Sequence, residues 1–209
     1  MSLPTLYAIV DVDACARAGW APRDLARACL AGGARLLQLR AKELGGAAFL
    51  ELATALVDDA RRVGGRVIVN DRADIAALSG AAGVHVGQDD LSVSDARRIV
   101  GGEAMVGLST HTHAQLQDAL TQPISYVAIG PVFSTGTKAT GYDAVGLEMV
   151  RDACALMSPG GIPVVAIGGI TLDRVTSVWD AGAASAAIIG DLLTDDPAAR
   201  VVQFLEAVR

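Results

Sequence analysis

The sequence contains few aromatic residues and few cysteines, and both shortages narrow the class of protein. Aromatic residues make up 4% of its 209 residues, although hydrophobic residues of all kinds make up 52%. The core must therefore consist mainly of Ala, Val, Leu and Ile, which is typical of parallel α/β folds whose strands are covered on both faces. The three cysteines lie far apart and form no CxxC pair, so we expect neither a zinc site nor a disulfide framework. Isolated thiols of this kind are typical of a reducing, cytoplasmic environment.

Positive charge and targeting signals are also scarce. The net charge of −6 argues against nucleic acid or an anionic membrane as the main partner, so an anionic ligand must meet a local group of cations. Asp11 comes before any basic residue, and the N-terminus therefore does not resemble a signal peptide. The uncharged run at 153–172 is interrupted by Ser-Pro-Gly-Gly at 158–161. We expect a helix end and a buried strand there rather than a membrane span.

Short apolar runs alternate with amphipathic stretches along the whole sequence, and several of those stretches end in glycine, as helices do. Eight strands in strict alternation with eight helices, in about 200 residues, indicate a (β/α)8 barrel at its lower size limit. We expect a single domain covering 1–209. The alternative is a doubly wound open sheet, which usually has fewer strands and a GxGxxG motif that is absent here. The predicted strands are Leu6–Val10, Leu36–Arg40, Arg66–Asn70, Val84–Gly87, Met105–Ser109, Tyr126–Gly130, Pro163–Gly168 and Ala186–Gly190.

The segment from Arg66 to Asp90 links two predicted strands through a short helix. Asp71 follows the first strand, and Asp90 comes just after the second. Neighbouring parallel strands lie about 5 Å apart, so side chains that leave the same ends can converge. Two carboxylates there are the ligands required by a Mg²⁺ ion that carries a substrate phosphate. Asp71 and Asp90 could equally be N-cap residues of two helices, on loops exposed to solvent. The segment alone does not distinguish this interpretation from a metal site.

Strand 2 carries polar side chains at alternate positions. Gln38, Arg40 and Lys42 share one face, which we expect to point into the barrel mouth because charge packed against the helices would be costly. Arg40 has a planar fork suited to phosphate, whereas Lys42 taken alone also fits a solvated cation. Asn70 ends strand 3, and Ser109, a potential phosphate donor, ends strand 5.

The histidines His85, His111 and His113 do not match a zinc spacing. We expect them to be hydrogen-bonding surface or rim residues rather than metal ligands.

The segment after strand 6, from Gly130 to Glu148, is long and rich in Gly, Ser and Thr. Loops of this length in compact domains are usually functional. We expect a lid over an anionic substrate rather than an unstructured surface loop, because hydroxyls, a glycine and a cation cluster within it. These residues are Thr135, Gly136, Thr137 and Lys138.

Glycines follow strands 7 and 8, where (β/α)8 barrels commonly bind phosphate. Gly169 precedes a helix expected to begin at Thr171, and Ile189 and Gly190 end strand 8. Backbone amides at such places attract anions. This second anion site, built from amides and hydroxyls, is enough for a monophosphate.

The sequence therefore predicts two anion sites in one mouth. One is the amide and hydroxyl site after strands 7 and 8. The second is expected to be strongly cationic and to hold a metal, as a diphosphate would need; its residues are Arg40, Lys42, Asp71, Asp90 and Lys138. No Cys–His or Ser–His–Asp nucleophile and no dinucleotide motif is evident. A reaction that displaces diphosphate from one substrate, using a second phosphorylated substrate, fits these residues.

Several motifs, in the same order along nearly the whole chain, resemble those of thiamine-phosphate synthases. The resemblance implies a (β/α)8 barrel that joins hydroxymethylpyrimidine diphosphate to hydroxyethylthiazole phosphate, giving thiamine monophosphate and diphosphate. It also implies that diphosphate leaves first and that the thiazole nitrogen captures a pyrimidinylmethyl cation. The motifs are QLRAK at 38–42, VNDR at 69–72, GVHVGQDDL at 83–91, GLSTH at 107–111, GPVFSTGTK at 130–138 and PVVAIGGIT at 163–171.

The resemblance also implies roles for individual positions. Asp71 and Asp90 are implied to hold Mg²⁺. The implied substrate-binding residues are Gln38, Leu39, Arg40, Ala41, Lys42, Asn70, Ser109, Thr135, Gly136, Thr137, Lys138, Gly169, Ile189 and Gly190. The implied catalytic residues are Arg40, Lys42, Ser109 and Lys138. Gly190 stands where the family commonly has Ser, and Ala41 stands where an acid is common, although Ala41 should face away from the site.

Two other functions remain open from the sequence. A thiazole tautomerase-like relative would use a histidine as acid and base, and His111 is available. Such relatives tend to lose the diphosphate and metal residues that this chain keeps. A non-catalytic sensor of a phosphorylated ligand would not need a metal–diphosphate site at all. Small molecules are the expected partners, and the sequence does not specify whether the chain forms a homo-oligomer.

Overall fold

The computed structural model describes residues 3–134 and 143–208, and these residues contain a closed, parallel eight-stranded barrel. Each strand pairs with the next along the chain, and the last strand closes on the first. The predicted (β/α)8 fold is therefore confirmed. The strands are β1 (Leu6–Asp11), β2 (Leu36–Arg40), β3 (Arg66–Asn70), β4 (Gly83–Val86), β5 (Met105–Thr110), β6 (Tyr126–Ile129), β7 (Val164–Ile167) and β8 (Ser185–Ile188).

Helices cover the outside of the barrel. Several begin at the signals expected of helix N-termini: Pro22 is at the start of the second helix, and the Ser92 hydroxyl accepts a hydrogen bond from Asp95 N. Along the described residues the helices are α1 (Val12–Arg17), α2 (Pro22–Ala31), α3 (Gly46–Arg61), α4 (Ala73–Ser79), α5 (Val93–Val100), α6 (His113–Ala119), α7 (Gly146–Met157), α8 (Val175–Asp180) and α9 (Pro197–Glu206). No helix within these residues is long and apolar enough to span a membrane.

The strict alternation expected from the sequence is wrong after β1, where two helices follow one strand. Gly19, with φ of +76°, turns the chain between α1 and α2. Strand ends differ from the expected ones by up to two residues. The helix expected at Thr171 begins instead at Val175, because the preceding residues form a turn in which Arg174 N donates to Thr171 O. Gly190, expected at the end of β8, lies in a 3-10 helix, Gly190–Leu192.

Strand side chains alternate between two cores, as the two-residue period of a strand requires. The larger core lies between the barrel and the helices and includes Leu39 and Ala41. The smaller core fills the barrel itself; its buried members are Tyr7, Ile9, Leu36, Ile68, Met105, Tyr126, Ala128, Val165 and Ala187. Because Leu36 points inward, Gln38 and Arg40 do so as well. The same alternation directs polar residues at the carboxyl ends of the strands into one mouth.

Candidate active site at the barrel mouth

Asp71, immediately after β3, is held beside a lysine that follows β2. Lys42 Nζ lies 2.5 Å from Asp71 Oδ2. Asp71 has φ of +62°, in a left-handed region that non-glycine residues seldom adopt and that Asp tolerates better than most. Its amide donates to His85 O, which ties the turn to β4.

The alternative interpretation of Asp71 and Asp90 as helix N-caps is wrong. Arg72 occupies the N-cap position of α4, and Ser92 caps α5. Asp90 Oδ2 instead accepts the Gly87 amide at 2.8 Å, which folds the loop after β4 back over the strand end.

The Asp71 and Asp90 carboxyls interact directly across the ends of β3 and β4. The pKa of Asp71 is raised above its ordinary value, first by burial and then by the neighbouring Asp90, although Lys42 acts to lower it. Two carboxylates held together disfavour ionisation of one of them unless a cation lies between them. The pair therefore has the electrostatic character of an acceptor for a positive ion.

A third carboxylate, Asp11 at the end of β1, was not anticipated as a site residue. Its Oδ2 lies 2.5 Å from Arg40 Nη1, while its Oδ1 accepts the Ala14 amide and caps α1. Both partners of this ion pair are largely buried. Arg40 Nε is also buried and has no hydrogen-bond partner among the described residues. A buried guanidinium N–H without an acceptor is costly, so it marks a place for a ligand oxygen.

Asp11 adds a negative charge to this half of the mouth that was not included in the prediction from the sequence. Among the described residues, the cations Arg40 and Lys42 face three carboxylates. The expected site also included Lys138, which lies outside the described residues, so the strongly cationic site stays a prediction. An anion with several charges therefore needs more positive charge here than these two side chains provide.

The donor set fits a magnesium ion that arrives with a phosphorylated ligand. Within residues 3–134 and 143–208, no cluster of three or more His, Cys, Asp or Glu side chains forms a complete metal site. Mg²⁺ commonly uses one or two carboxylates and takes its other ligands from water and substrate phosphates. Asp71 and Asp90 match that requirement, and Lys42 is placed to contact the same anion.

Gln38, Asn70 and Ser109 come together below the carboxylates. Gln38 and Asn70 are buried, Ser109 is partly buried, and all three line a small cavity with Arg40. Leu39 and Ala41, which were also expected to bind substrate, have their side chains in the outer core. Any contact from these two positions must therefore use the backbone.

A second cavity, of about 320 Å³, adjoins the first and lies over β5 to β8. Ser109, Ile167, Ala187 and Ile189 line both cavities, so the two adjoin along these residues, of which Ser109 is the one with a polar side chain. The larger one is bordered by Gly169, Ile189 and Gly190, as the sequence predicted. Each of these contributes a backbone amide near the mouth, which suits a phosphate group.

The glycines of this second cavity are required by close packing. A Cβ on Gly168 would lie 2.5 Å from Pro131 Cα, and one on Gly169 would lie 2.7 Å from Ser134 O. Both residues also have positive φ, of +100° and +62°. The loops after β6 and β7 are therefore in direct backbone contact.

His111 and Asp191 also line the larger cavity. His111 Nδ1 lies 2.5 Å from Gly130 O, so the imidazole donates from Nδ1. Asp191 Oδ2 accepts the Leu172 amide at 2.9 Å and lies 3.6 Å from Arg200 Nη1. This pairing reduces the repulsion that an unpaired carboxylate would exert on a phosphate.

The histidines differ from one another in their surroundings. His111 lies at the rim, as expected, and His113 is exposed, 3.5 Å from Asp152. His85 was also expected at the surface or rim, and this is wrong: it is buried inside the barrel between Tyr126 and Ser109. Its position on the inward face of β4 follows from the strand alternation.

Four expected ligand residues, Thr135, Gly136, Thr137 and Lys138, lie outside the described residues.

A parallel (β/α)8 barrel with a carboxylate pair, two cations and an amide-lined cavity at its carboxyl ends belongs to the class of barrels whose mouth is equipped for phosphorylated small molecules. Comparison with known proteins gives the particular family. The family model described as thiamine monophosphate synthase matches residues 6–192. The chain belongs to the thiamine-phosphate synthase family.

Individual relatives agree with this assignment. The chain is 44% identical over 215 residues to a thiamine-phosphate synthase of Koribacter versatilis, covering 99% of this chain and 96% of the relative. It is 41% identical to that of Anaeromyxobacter dehalogenans, covering 98% and 89%. The solved structure of thiamine phosphate pyrophosphorylase from Pyrococcus furiosus superposes with a TM-score of 0.87 at 27% identity, covering 98% of this chain and 95% of that one.

Proposed function

We propose that this protein is a thiamine-phosphate synthase. It would join 4-amino-2-methyl-5-(diphosphooxymethyl)pyrimidine to 4-methyl-5-(2-phosphooxyethyl)thiazole, giving thiamine monophosphate and diphosphate. The observation that carries the proposal is the presence of two adjoining, unlike cavities that share Ser109, one lined by Arg40, Gln38 and Asn70 and the other bordered by Gly169, Ile189 and Gly190. Two adjoining cavities of different chemistry suit a reaction between a diphosphate and a monophosphate. The family membership supports the same reaction.

The pyrimidine diphosphate would occupy the half of the mouth formed by β1 to β4. Arg40 offers a buried N–H that has no partner within residues 3–134 and 143–208, and Lys42 Nζ lies beside Asp71. Mg²⁺ held by Asp71 and Asp90 would neutralise the diphosphate and make it a better leaving group. Lys138 is proposed to add a further positive charge from the loop after β6.

The chemistry requires little beyond charge stabilisation and positioning. In the proposed sequence the methylene C–O bond breaks, and its electron pair leaves with the diphosphate. The thiazole nitrogen then donates its lone pair to the pyrimidinylmethyl cation, forming the new C–N bond. Arg40, Lys42, Ser109 and Lys138 are the proposed catalytic residues because they would contact the departing diphosphate.

A covalent intermediate on cysteine is not needed and is disfavoured by the thiols. Burial raises the pKa of Cys15 to about 11 and that of Cys29 to about 12. Thiols with such pKa values carry almost no thiolate at neutral pH. Both are also fully buried in the outer core.

The thiazole phosphate would occupy the larger cavity. Gly169, Ile189 and Gly190 would bind its phosphate through their amides, with Thr135, Gly136 and Thr137 proposed to contribute from the loop after β6. Gly190 replaces the serine that is common in the family, so one hydroxyl donor is lost. We expect the protein to act in the cytoplasm.

The first test is formation of thiamine monophosphate from the two purified substrates, with Mg²⁺ or with EDTA. Mg²⁺-dependent product is expected. A second candidate, thiazole tautomerase activity, is favoured by one observation: His111 borders the larger cavity with Nδ1 on Gly130 O, which turns Nε2 away from that carbonyl. Tautomer exchange without product would replace the synthase proposal. Ligand binding without either reaction would indicate a sensor.

A further inference from the structure

A chain of hydrogen bonds runs through the floor of the barrel and ends at Ser109. The bonds are Gln38 Nε2 to Tyr7 Oη at 2.9 Å, Tyr7 Oη with Tyr126 Oη at 3.0 Å, Tyr126 Oη with His85 Nδ1 at 3.0 Å, and His85 Nε2 with Ser109 Oγ at 2.8 Å. The four residues before Ser109 are all buried. The chain joins strands β1, β2, β4, β5 and β6, so it exists only in the closed barrel.

The donor at Gln38 sets the donor-to-acceptor direction of this chain of hydrogen bonds. Because Gln38 donates to Tyr7 Oη, the single hydroxyl hydrogen of Tyr7 needs another acceptor, and among the described residues that acceptor is Tyr126 Oη. The reverse direction would leave a fully buried O–H without a partner, which native structures avoid. Tyr126 must then donate its own hydrogen to His85 Nδ1.

The same reasoning fixes the imidazole and the serine. With Nδ1 accepting, the neutral His85 ring carries its hydrogen on Nε2 and donates to Ser109 Oγ. The hydroxyl hydrogen of Ser109 is then free to point elsewhere, and its side chain lines both cavities. Ser109 therefore presents a donor to the place where the cavities meet.

The barrel is built around this chain. His85, Gly107 and Tyr126 are directly paired neighbours on β4, β5 and β6. A Cβ at Gly107 would collide with the Tyr126 ring, its hydroxyl and His85 Nδ1. The His85 and Tyr126 rings stack at 5.5 Å between centroids, and the Tyr7 and Tyr126 rings meet edge to face at 6.0 Å. The absent side chain of Gly107 thus provides the space for the central hydrogen bond.

We propose that Tyr7, Tyr126 and His85 are positioning residues that fix Ser109 as a hydrogen-bond donor to the diphosphate group. A phosphate oxygen can only accept a hydrogen bond. If the Ser109 hydroxyl donated to His85, its oxygen lone pairs would point at the phosphate and weaken binding. The inference rests on the proposed function for the identity of the anion. The direction of the hydrogen bonds does not depend on which anion binds.

The direction can be measured without substrate. Long-range ¹H–¹⁵N NMR of the imidazole nitrogens reports which one carries the hydrogen in the wild-type protein. The expected result is His85 with hydrogen on Nε2 and a lone pair on Nδ1. Hydrogen on Nδ1, or on both nitrogens at neutral pH, would overturn the inference.

The consequence for binding can be measured with inorganic diphosphate and Mg²⁺ by titration calorimetry. Tyr126→Phe keeps the ring and removes the hydroxyl that orients His85, and we expect diphosphate affinity to fall about tenfold. His85→Leu should have a similar effect. His85→Gln, whose amide N–H can occupy the place of Nε2–H, should restore most of the affinity.

A double-mutant cycle separates positioning from general damage to the barrel. If Tyr126 acts through Ser109, then Tyr126→Phe should change diphosphate affinity little in a Ser109→Ala background. An equal loss in both backgrounds would refute the positioning role. Product formation by the wild-type protein tests the proposed function separately, because neither the NMR measurement nor the binding cycle requires turnover.

Discussion

Lys42 Nζ lies 2.5 Å from Oδ2 of Asp71, and the backbone of Asp71 is left-handed at φ +62°. That backbone conformation turns the carboxylate into the mouth instead of over the amides that begin α4. The helix therefore begins without a side-chain cap on Arg72. The usual side-chain N-cap is therefore absent at the start of α4, next to the residue that is proposed to bind the metal.

Removal of either acid that is proposed to bind the metal, Asp71 or Asp90, should abolish the magnesium response while the barrel remains folded. Asp71→Asn is preferable to Asp71→Ala, because Asn tolerates the left-handed backbone and Ala does not. We expect Asp71→Asn and Asp90→Asn each to reduce turnover at limiting Mg²⁺ by about 100-fold or more. Thiamine monophosphate formation across a Mg²⁺ titration measures this.

Asp89→Asn is the matched control for these variants. Asp89 is exposed and adjacent to Asp90 in the chain, and its substitution removes the same charge. The magnesium titration of this variant should match that of the wild type. Normal turnover of Asp71→Asn at limiting Mg²⁺ would contradict the metal assignment.

Gly169→Ala should damage the half of the site that is proposed to bind the thiazole phosphate. The new Cβ would lie 2.7 Å from Ser134 O, and the backbone at φ +62° disfavours alanine. We expect the KM for the thiazole phosphate to rise about tenfold or more, with a loss of roughly 2–4 kcal/mol in the free energy of unfolding. Steady-state kinetics and urea denaturation measure the two effects.

Gly161→Ala separates backbone strain from steric collision. Gly161 has a similar φ of +64°, but no other atom lies within 4 Å of the place that a Cβ would take. It should lose about 1 kcal/mol of stability and keep the wild-type KM. If both variants raise KM equally, packing against Ser134 is not the cause.

Asp11→Asn should leave the positive charge of Arg40 without its carboxylate partner. Asparagine can still cap α1 by accepting the Ala14 amide, but the ion pair with Arg40 is lost. We expect inorganic diphosphate to bind severalfold more tightly in EDTA, because one carboxylate no longer opposes it. Stability should fall by about 1–3 kcal/mol, since Arg40 is left without its buried partner.

Asp13→Asn removes the same charge from the first turn of α1, where no ion pair is formed with Arg40. Its diphosphate affinity should remain that of the wild type. An unchanged affinity in Asp11→Asn would mean that Arg40 does not contact the anion.

Asp59 should give the protein a stability that disappears in acid. Hydrogen bonds from Arg23 and Arg27 lower the pKa of Asp59 to about 2, below its value in the unfolded chain. This contribution is fully present above about pH 4 and is lost as pH falls through about 2. Because the arginines are substantially exposed, we expect Asp59→Asn to cost only about 1 kcal/mol at pH 7.

Urea unfolding at neutral pH and at a pH near 2 measures this difference between wild type and Asp59→Asn, which should shrink at the lower pH. Asp58→Asn, at the exposed neighbouring position, should show a much smaller difference at either pH. A constant difference for Asp59→Asn across the two pH values would indicate packing rather than charge.

Local patterns were enough to predict the barrel and the residues at its strand ends. Alternation placed Gln38 and Arg40 on the inward face, and the order of the strands placed Asp71 beside Asp90. The pairing of Asp11 with Arg40 was not predicted, although the strand-end rule that brings Asp71 and Asp90 together applies equally to Asp11 at the end of β1.

The chain of hydrogen bonds could not be predicted from local sequence. Tyr7 and Tyr126 are 119 residues apart and meet only because the barrel closes. The direction of the chain depends further on Gln38, and the space for it depends on Gly107. The left-handed backbone of Asp71 also leaves no clear signal in a sequence, since it is set by contacts with β2 and β4.

The contact of Gly168 and Gly169 with Pro131 and Ser134 has a thermodynamic consequence for binding. Phe133 N donates to Gly168 O at 3.0 Å, and Val132 N to Ile167 O at 2.8 Å, so the two loops share backbone hydrogen bonds. The entropy of arranging the amides is therefore lost during folding, not when the ligand binds. A substitution that loosens this loop contact should accordingly weaken anion binding here, because the cost of arranging the amides would then be incurred on binding.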